Sequence, residues 1–137
     1  MAVACAATPI QTYPGPPLPR AEVALLRDSP DAGIVAIDRV SAWGSVWSLA
    51  PGTHEVLVHF RIHTTAPNMN WDIWTYCWIV LPAVAGEDYA SVVRARKEVV
   101  GPSISDKVTM EIGIADPRGV LRGFPRTCTP KRPKLEK

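Results

Sequence analysis

The sequence lacks an apolar run long enough to cross a membrane as a helix. The longest candidate, residues 71–85, is interrupted by Asp72, Thr75 and Pro82, whereas a spanning helix needs about 20 apolar residues in succession. Cysteine is also scarce, with three in 137 residues. A chain of this length can bury a core without a framework of disulfides or metal sites. We therefore expect one globular domain.

Sequence signatures of catalytic sites are missing as well. The chain contains no G-x-S-x-G, H-E-x-x-H, phosphate-binding loop or paired-glycine fingerprint. His54, His59 and His63 are the candidate metal ligands. On a strand, His54 and His59 point to opposite faces, and His59 lies about 13 Å from His63 along the axis, too far to share a metal ion. We expect exposed histidines, no metal, no cofactor and no enzymatic activity.

The charge is distributed unevenly along the chain. Residues 118–137 hold seven basic and one acidic residue, hence +6, and the rest of the chain holds eight basic and twelve acidic residues, hence −4. The basic residues at this end lie among prolines, and no aromatic residue follows Phe124. This pattern favours a solvated basic tail at residues 125–137 and no nucleic-acid partner.

The first 19 residues combine a cysteine that follows small residues with a proline-rich stretch. Residues 1–7 read MAVACAA, and residues 8–19 contain five prolines. Proline fixes its own φ and restricts the residue before it. We therefore expect residues 6–19 to form an extended spacer that reaches up to about 43 Å. An ordinary chain end with an incidental Cys5 is the other interpretation of these residues.

Beyond the spacer, short apolar segments alternate with turn residues. Residues 54–63 are the clearest strand, because Val56, Val58 and Phe60 share one face while His59 and Arg61 share the other. Other strands are expected at residues 33–40, 45–50, 71–84, 88–97, 107–115 and 120–124. The pattern predicts an all-β fold, a single antiparallel β-sandwich of about seven strands over residues 20–124.

Three turns are predicted from local chemistry. Pro19 can begin a single helical turn that ends at Glu22. The pair at residues 51–52, proline then glycine, suits the centre of a type II turn and predicts that the strands on either side pair with each other. Residues 116–119 read DPRG, which suits a type I turn before the last strand.

Aromatic side chains form the main candidate binding surface. On a strand over residues 71–84, Trp74, Tyr76 and Trp78 share one face, with successive side chains about 6.7 Å apart. Such a row can stack on sugar rings, and Trp43 and Trp47 would extend it from a neighbouring hairpin. The alternative is that these residues fill the core, because tryptophan buries much apolar area. The whole segment is apolar enough to be covered on both faces.

The chain contains several short motifs, namely TYPGP at residues 12–16, LP at 18–19, EVA at 22–24, ID at 37–38, LAPGTHEV at 49–56, AGEDY at 85–89 and IAD at 114–116. These motifs resemble those of small uncharacterised bacterial envelope lipoproteins and of related carbohydrate-binding-like and PEGA-like sandwiches. The resemblance covers residues 12 to about 122. The chain departs from the group at Arg39, where glycine is common after aspartate.

This resemblance implies that Cys5 becomes the lipid-modified first residue of a domain tethered to the outer membrane and facing the periplasm. A signal sequence upstream of Met1 is then expected, and without one the protein would be cytosolic. In an oxidising periplasm, Cys77 and Cys128 are left as a candidate disulfide pair, although Cys77 can equally be a small buried side chain.

Three functions follow from these observations. The first is a non-enzymatic envelope lipoprotein that acts by tethering and binding, with the membrane as partner through its lipid anchor. The second is a soluble module that binds glycans through exposed tryptophans. The third is an accessory subunit that adds a strand or the basic tail to a larger protein assembly.

Overall fold

The computed structural model describes residues 8–66, 69–99 and 106–135. These residues form β-strands and one short 3-10 helix, so the prediction of an all-β chain is confirmed. The strands are β1 (Ile10–Gln11), β2 (Ala24–Arg27), β3 (Ala32–Ile37), β4 (Val40–Ser41), β5 (Val46–Leu49), β6 (Gly52–Ala66), β7 (Met69–Ala83), β8 (Asp88–Val99), β9 (Asp106–Ala115) and β10 (Leu121–Thr129). The 3-10 helix, Arg20–Glu22, ends at Glu22 as predicted, but Pro19 precedes it and is not its first residue.

The described strands form one sheet in the order β1-β5-β2-β8-β9-β10-β7-β6-β3-β4. Seven strands in a two-sheet sandwich were expected, whereas the structure has ten in a single sheet. All seven expected strands are present, and β1, β2 and β4 are the additions. These three contain between two and four residues each, which is too short for an alternating pattern to be seen in the sequence.

Two strand pairs in the described part of the sheet are parallel, β1 with β5 and β2 with β8. The sequence had predicted antiparallel pairing throughout. Leu26 of β2 lies opposite Tyr89 of β8, and the long stretch of chain between them contains several other strands. Local turn chemistry carries no information about such a distant pairing, because a parallel pair is joined by a crossover and not by a turn.

The sheet folds over so that its two halves enclose one core. Strands β3 and β8, and β6 and β8, contact each other although they are not neighbours in the sheet. The buried cluster draws side chains from both halves, namely Leu26, Trp47, Leu49, Tyr89 and Ile114 from one and Ile34, Val58, Phe60, Ile79 and Leu81 from the other. β10 joins the halves, since its first residues pair with β9 and its later ones with β7.

The long hairpin of β6 and β7 is the most regular part of the fold. Its strands have 15 residues each and pair from Gly52 opposite Ala83 to Ala66 opposite Met69. The inward face is fully buried at Val56, Val58, Phe60, Cys77, Ile79 and Leu81. The alternation predicted for residues 54–63 is confirmed, but the expectation that β7 is covered on both faces is wrong, because Trp74 on its other face is 49% exposed.

The two predicted turns between strands have different outcomes. Residues 116–119 form the expected turn, in which the Gly119 N–H donates to the Asp116 carbonyl at 2.9 Å. At residues 51–52 the predicted pairing is wrong, because β5 pairs with β1 and β2 while β6 pairs with β3 and β7. Gly52 does adopt a positive φ of 126°. The tight connection there carries the chain from one half of the sheet to the other.

Asp116 is a buried carboxylate that stabilises the last turn. Its Oδ1 accepts from the N–H groups of Arg118 and Val120, and its Oδ2 accepts from Nε of Arg122 at 2.9 Å. Burial alone would raise the pKa of Asp116, but these donors hold that pKa below its ordinary value. The ionised form therefore stabilises the fold above the pKa of an unfolded aspartate, and this stabilisation is lost as the pH falls through the lower folded value.

Both ends of the described chain are more structured than expected. Gln11 donates through Nε2 to the carbonyls of Tyr13 and Gly15, at 2.7 Å each, and the Leu18 N–H donates to the Tyr13 hydroxyl. These bonds close residues 11–18 into a compact loop in place of the extended spacer. At the other end, β10 continues to Thr129 and pairs with β7. Residues 125–129 are thus part of the sheet and not of a tail.

A disulfide joins Cys77 of β7 to Cys128 of β10, which lie directly opposite each other in the register. Cys77 is fully buried. The bond closes a sequence separation of 51 residues, and a cross-link of this kind removes conformational freedom from the unfolded chain. It holds β10 against the long hairpin, next to the candidate site.

We predict that Gly113→Ala destabilises the protein where Gly33→Ala does not. A Cβ at Gly113 would lie 2.5 Å from the carbonyl oxygen of Gly123, whereas one at Gly33 would meet nothing within 4 Å. We expect Gly113→Ala to lower the free energy of unfolding by about 1–3 kcal/mol and Gly33→Ala to change it by less than about 0.5 kcal/mol, as measured by urea denaturation. Equal effects of the two substitutions would contradict the close approach of β9 and β10.

Candidate functional site

The aromatic row of Trp74, Tyr76 and Trp78 lies on the outer face of β7. Cys77 and Ile79, which alternate with it, are fully buried on the inner face. Trp74 is about half exposed, and the other two rings of the row are half-buried. The row is therefore a surface of the sheet and not part of its core.

Residues of β6 contact the row from the neighbouring strand. His59 lies opposite Tyr76 in the register, and their rings stack with centroids 4.0 Å apart and an interplanar angle of 1°. The His59 ring also lies 4.7 Å from that of Trp74. Arg61 is opposite Trp74, and its guanidinium carbon lies 5.8 Å from the centroid of that ring. Opposite residues of an antiparallel pair share a face, which is why these contacts form.

Burial lowers the pKa of His59, and the positive charge of Arg132 lowers it further. The ordinary value for histidine is about 6.5, so the stacked ring is neutral at physiological pH. A protonated His59 is favoured more in the unfolded than in the folded protein. Protonation of His59 therefore lowers the free energy of unfolding at acidic pH. This loss of stability disappears as the pH rises through the pKa of an unfolded histidine.

A second cationic contact comes from the turn between β3 and β4. Asp38 and Arg39 both have positive φ, 49° and 66°, as in a two-residue type I′ turn, which favours asparagine and glycine. The Arg39 guanidinium carbon lies 5.4 Å from the centroid of the Trp78 ring. Glycine at residue 39 would adopt the same conformation without strain.

Hydrogen bonds to the start of β6 hold this turn in place. The Asp38 carboxylate accepts from the Glu55 N–H at 2.9 Å and contacts Nδ1 of His54 at 2.5 Å, while the Asp38 N–H donates to the Glu55 carbonyl at 2.7 Å. Nε2 of His54 lies 2.6 Å from the Ala50 carbonyl. The expected exposed His54 is thus a structural residue, with its side chain 12% exposed.

A shallow cavity of about 170 Å³ lies beside Trp78. Its walls are formed by Arg39, Glu55, Trp78, Val80, Arg126 and Thr127. Nη1 of Arg126 donates to Glu55 at 3.2 Å, and Nη2 of Arg39 lies 3.6 Å from the other oxygen of the same carboxylate. One acidic side chain is therefore placed between two arginines at the edge of the aromatic row.

The opposite end of the row has one carboxylate and two basic partners. Asp72 accepts from Arg61 at 2.8 Å and from Nδ1 of His63. The hydrogen bonds from His63 and then from Arg61 lower the pKa of Asp72 below its ordinary value. His63 is thus paired with an acid, and the aromatic row has polar groups at both ends.

Trp43 and Trp47 are not part of this row, contrary to the expectation. Trp47 belongs to the core, at 1% exposure, and its indole N–H has no hydrogen-bond partner among the described residues. Trp43 is 80% exposed. Both line a separate cavity of about 270 Å³ where the end strands β1 and β4 approach each other. Neither Trp43 nor Trp47 lines the cavity beside Trp78.

Sequence reasoning missed the arginines of the site. The sequence pattern assigned Arg61 and His59 to the outward face of their strand. Only the register of β6 with β7 shows that they contact Trp74 and Tyr76. Arg126 was assigned to the tail, and Arg39 was noted only as a departure from glycine. Neither has a local pattern that points to Trp78.

The remaining expectations concern metals, membranes and relatives. Within residues 8–66, 69–99 and 106–135, no group of three or more histidine, cysteine or acidic side chains is placed to hold a metal ion. The described part of the chain contains no helix of the length and apolarity needed to span a membrane. Cys5 lies outside the described residues.

Comparison with protein-family models, curated proteins and solved structures gave no match.

We predict that Arg39→Gly is more stable than Arg39→Ala, by about 0.5–1 kcal/mol, because a left-handed residue with a Cβ costs roughly 1–2 kcal/mol. Both variants lose the guanidinium, so their difference isolates the backbone conformation. Ser41, which does not have a positive φ, supplies the control: there the alanine variant should be the more stable of the two. Urea denaturation measures all four, and the same order at both positions would reject a left-handed Arg39.

Proposed function

We propose that this protein is a non-enzymatic binding domain that takes glycans on the outer face of the β6–β7 hairpin. The observation that supports this proposal is the row of Trp74, Tyr76 and Trp78, which lies on a face whose reverse is the core and in which Trp74 is 49% exposed. Exposed aromatic surface is unfavourable in water. A protein keeps such a surface mainly where a partner covers it.

The chemistry of the face suits a sugar chain. Each sugar ring has an apolar face of C–H groups that packs on an aromatic ring, and hydroxyls at its edge that need hydrogen-bond partners. The row provides the exposed ring of Trp74 and the half-buried ring of Trp78, with His59 stacked on Tyr76 between them. Arg61, Asp72 and His63 provide donors and acceptors at one end. Three side chains on alternate positions span about 13 Å. The face therefore favours an extended oligosaccharide over a single small molecule.

The platform is already rigid before a ligand binds. The fifteen paired residues of β6 and β7 and the disulfide from Cys77 to Cys128 hold the strands that carry the row. His59 stacks flat on Tyr76 and fixes the ring at its centre. A surface that does not need to be ordered on binding keeps more of its interaction energy as affinity. We propose that the fold is a variant of the β-sandwich expected from the sequence, with its aromatic face outward.

We predict that Trp74→Ala and Trp78→Ala each weaken glycan binding about tenfold, because loss of a central aromatic contact costs more than about 1 kcal/mol. The probes are cellohexaose, which is neutral, and hexagalacturonate, which is acidic, and titration calorimetry measures the dissociation constants. Trp43→Ala is the matched control, since Trp43 is more exposed than either and lines a different cavity. It should change affinity less than twofold.

Two results would contradict this proposal. If neither hexasaccharide binds the native protein, the face is not a glycan site. If a single-stranded oligonucleotide binds tighter than both and loses affinity in the same two variants, the aromatic row stacks on bases and not on sugars.

We propose separately that a lipid on Cys5 anchors the protein to the membrane. The sequence of residues 1–19 supports this proposal. We expect protein purified from its native host to begin at Cys5 and to carry a diacylglyceryl group there, which mass spectrometry of the N-terminal peptide measures. Replacement of Cys5 by serine should release the protein from the membrane fraction and leave glycan binding unchanged. An N-terminal peptide that begins at an unmodified Met1 would reject the anchor and the envelope location together.

A further inference from the structure

The two arginines beside Trp78 are both placed by irregular backbone. Arg39 occupies the second position of a turn with two positive φ values. Arg126 lies in the register shift of β10, where Pro125 pairs with Ile79 and Thr127 with Trp78. It is the extra residue of a β-bulge, a feature that redirects a side chain away from its regular direction. Two unrelated irregularities thus bring guanidinium groups to one cavity.

The turn between β3 and β4 does not need arginine at its second position. Glycine at residue 39 would make the same turn at lower cost, and Asp38 holds the turn to β6 through its own carboxylate and N–H. An uninterrupted β10 would continue the ladder with β7. Strained backbone conformations are concentrated at functional sites, where the surrounding structure maintains them. Here the irregular backbone places Arg39 and Arg126 at the edge of the aromatic row.

The cavity has more cationic than anionic character. Glu55 accepts one hydrogen bond from Arg126, and its contact with Arg39, at 3.6 Å, is longer than a hydrogen bond. The side chains of Arg39 and Arg126 are 50% and 67% exposed. Each guanidinium has five N–H donors, so one carboxylate leaves most of these donors facing solvent.

We propose that the ligand of this face is an acidic glycan, and that Arg39 and Arg126 bind the carboxylate of a uronic acid residue whose ring packs on Trp78. This inference rests on the proposed function, and it specifies the ligand. The planar guanidinium matches a carboxylate with two parallel hydrogen bonds. Glu55 occupies the place between the two arginines, so the ligand carboxylate would bind the guanidinium donors that Glu55 leaves unpaired. A uronic acid combines that group with an apolar ring face, as the cavity beside Trp78 requires.

Hexagalacturonate and its methyl ester test this inference, because esterification removes the charge and retains the sugar chain. We expect the native protein to bind the acid at least tenfold tighter than the ester. Arg39→Gly and Arg126→Gln should each weaken binding of the acid about fivefold and leave the ester within twofold. Arg20→Gln is the control, because Arg20 pairs with Asp88 on the other half of the sheet, and it should change neither. Thermal melts of all variants verify that they are folded.

The outcomes separate this inference from the proposed function. Equal affinity for acid and ester, with no loss in either arginine variant, would overturn the acidic ligand and leave a glycan site in place. Binding of neither compound would reject the glycan site itself. A sulfated hexasaccharide that binds tighter than hexagalacturonate would overturn the choice of a carboxylate. A steeper salt dependence for the acid than for the ester, reduced in both arginine variants, would support the inference.

Discussion

The paired register of β6 and β7 is the constraint on which the rest of the structure depends. A strand has two faces, and a slip of one residue would exchange them. Val58 opposite Cys77 and Val56 opposite Ile79 direct apolar side chains into the core, so the alternate positions must face outward. Burial of the inner face therefore places the aromatic row on the outer face, where Trp74 is 49% exposed and Tyr76 and Trp78 are half-buried. The disulfide at Cys77 fixes β10 to the same hairpin and with it one wall of the cavity beside Trp78.

Regular and irregular backbone have different roles at this face. The regular hairpin sets the spacing and direction of Trp74, Tyr76 and Trp78, and the irregular segments supply charge. A left-handed turn and a bulge are less favourable than continuous strand, and both persist because neighbouring contacts stabilise them. Asp38 anchors the turn through hydrogen bonds to β6, and the disulfide at Cys128 closes β10 shortly after the bulge. Charge at this edge of the row thus follows from tertiary contacts and not from the strand pattern.

Much of the strand content could be predicted from the sequence because alternation is a local property. The face containing Val56, Val58 and Phe60 was recognisable as buried, and the turn at residues 116–119 followed from its own residues. The proline-rich segment was harder, since the side chain of Gln11 closes it and proline chemistry alone favours extension. Tryptophan was ambiguous for a different reason. An aromatic strand face suits a core and a binding surface equally well, and only the position of the opposite face decides between them.

The sequence by itself determined the all-β character, the position of the main strands and which side chains share a face, because each of these depends on residues close together in the chain. The tertiary structure decided the order of the strands, the separation of Trp43 and Trp47 from the aromatic row, and the meeting of Arg39 with Arg126. These depend on contacts between segments far apart in sequence. Such contacts depend on how the whole sheet folds over its core, which no local sequence pattern indicates.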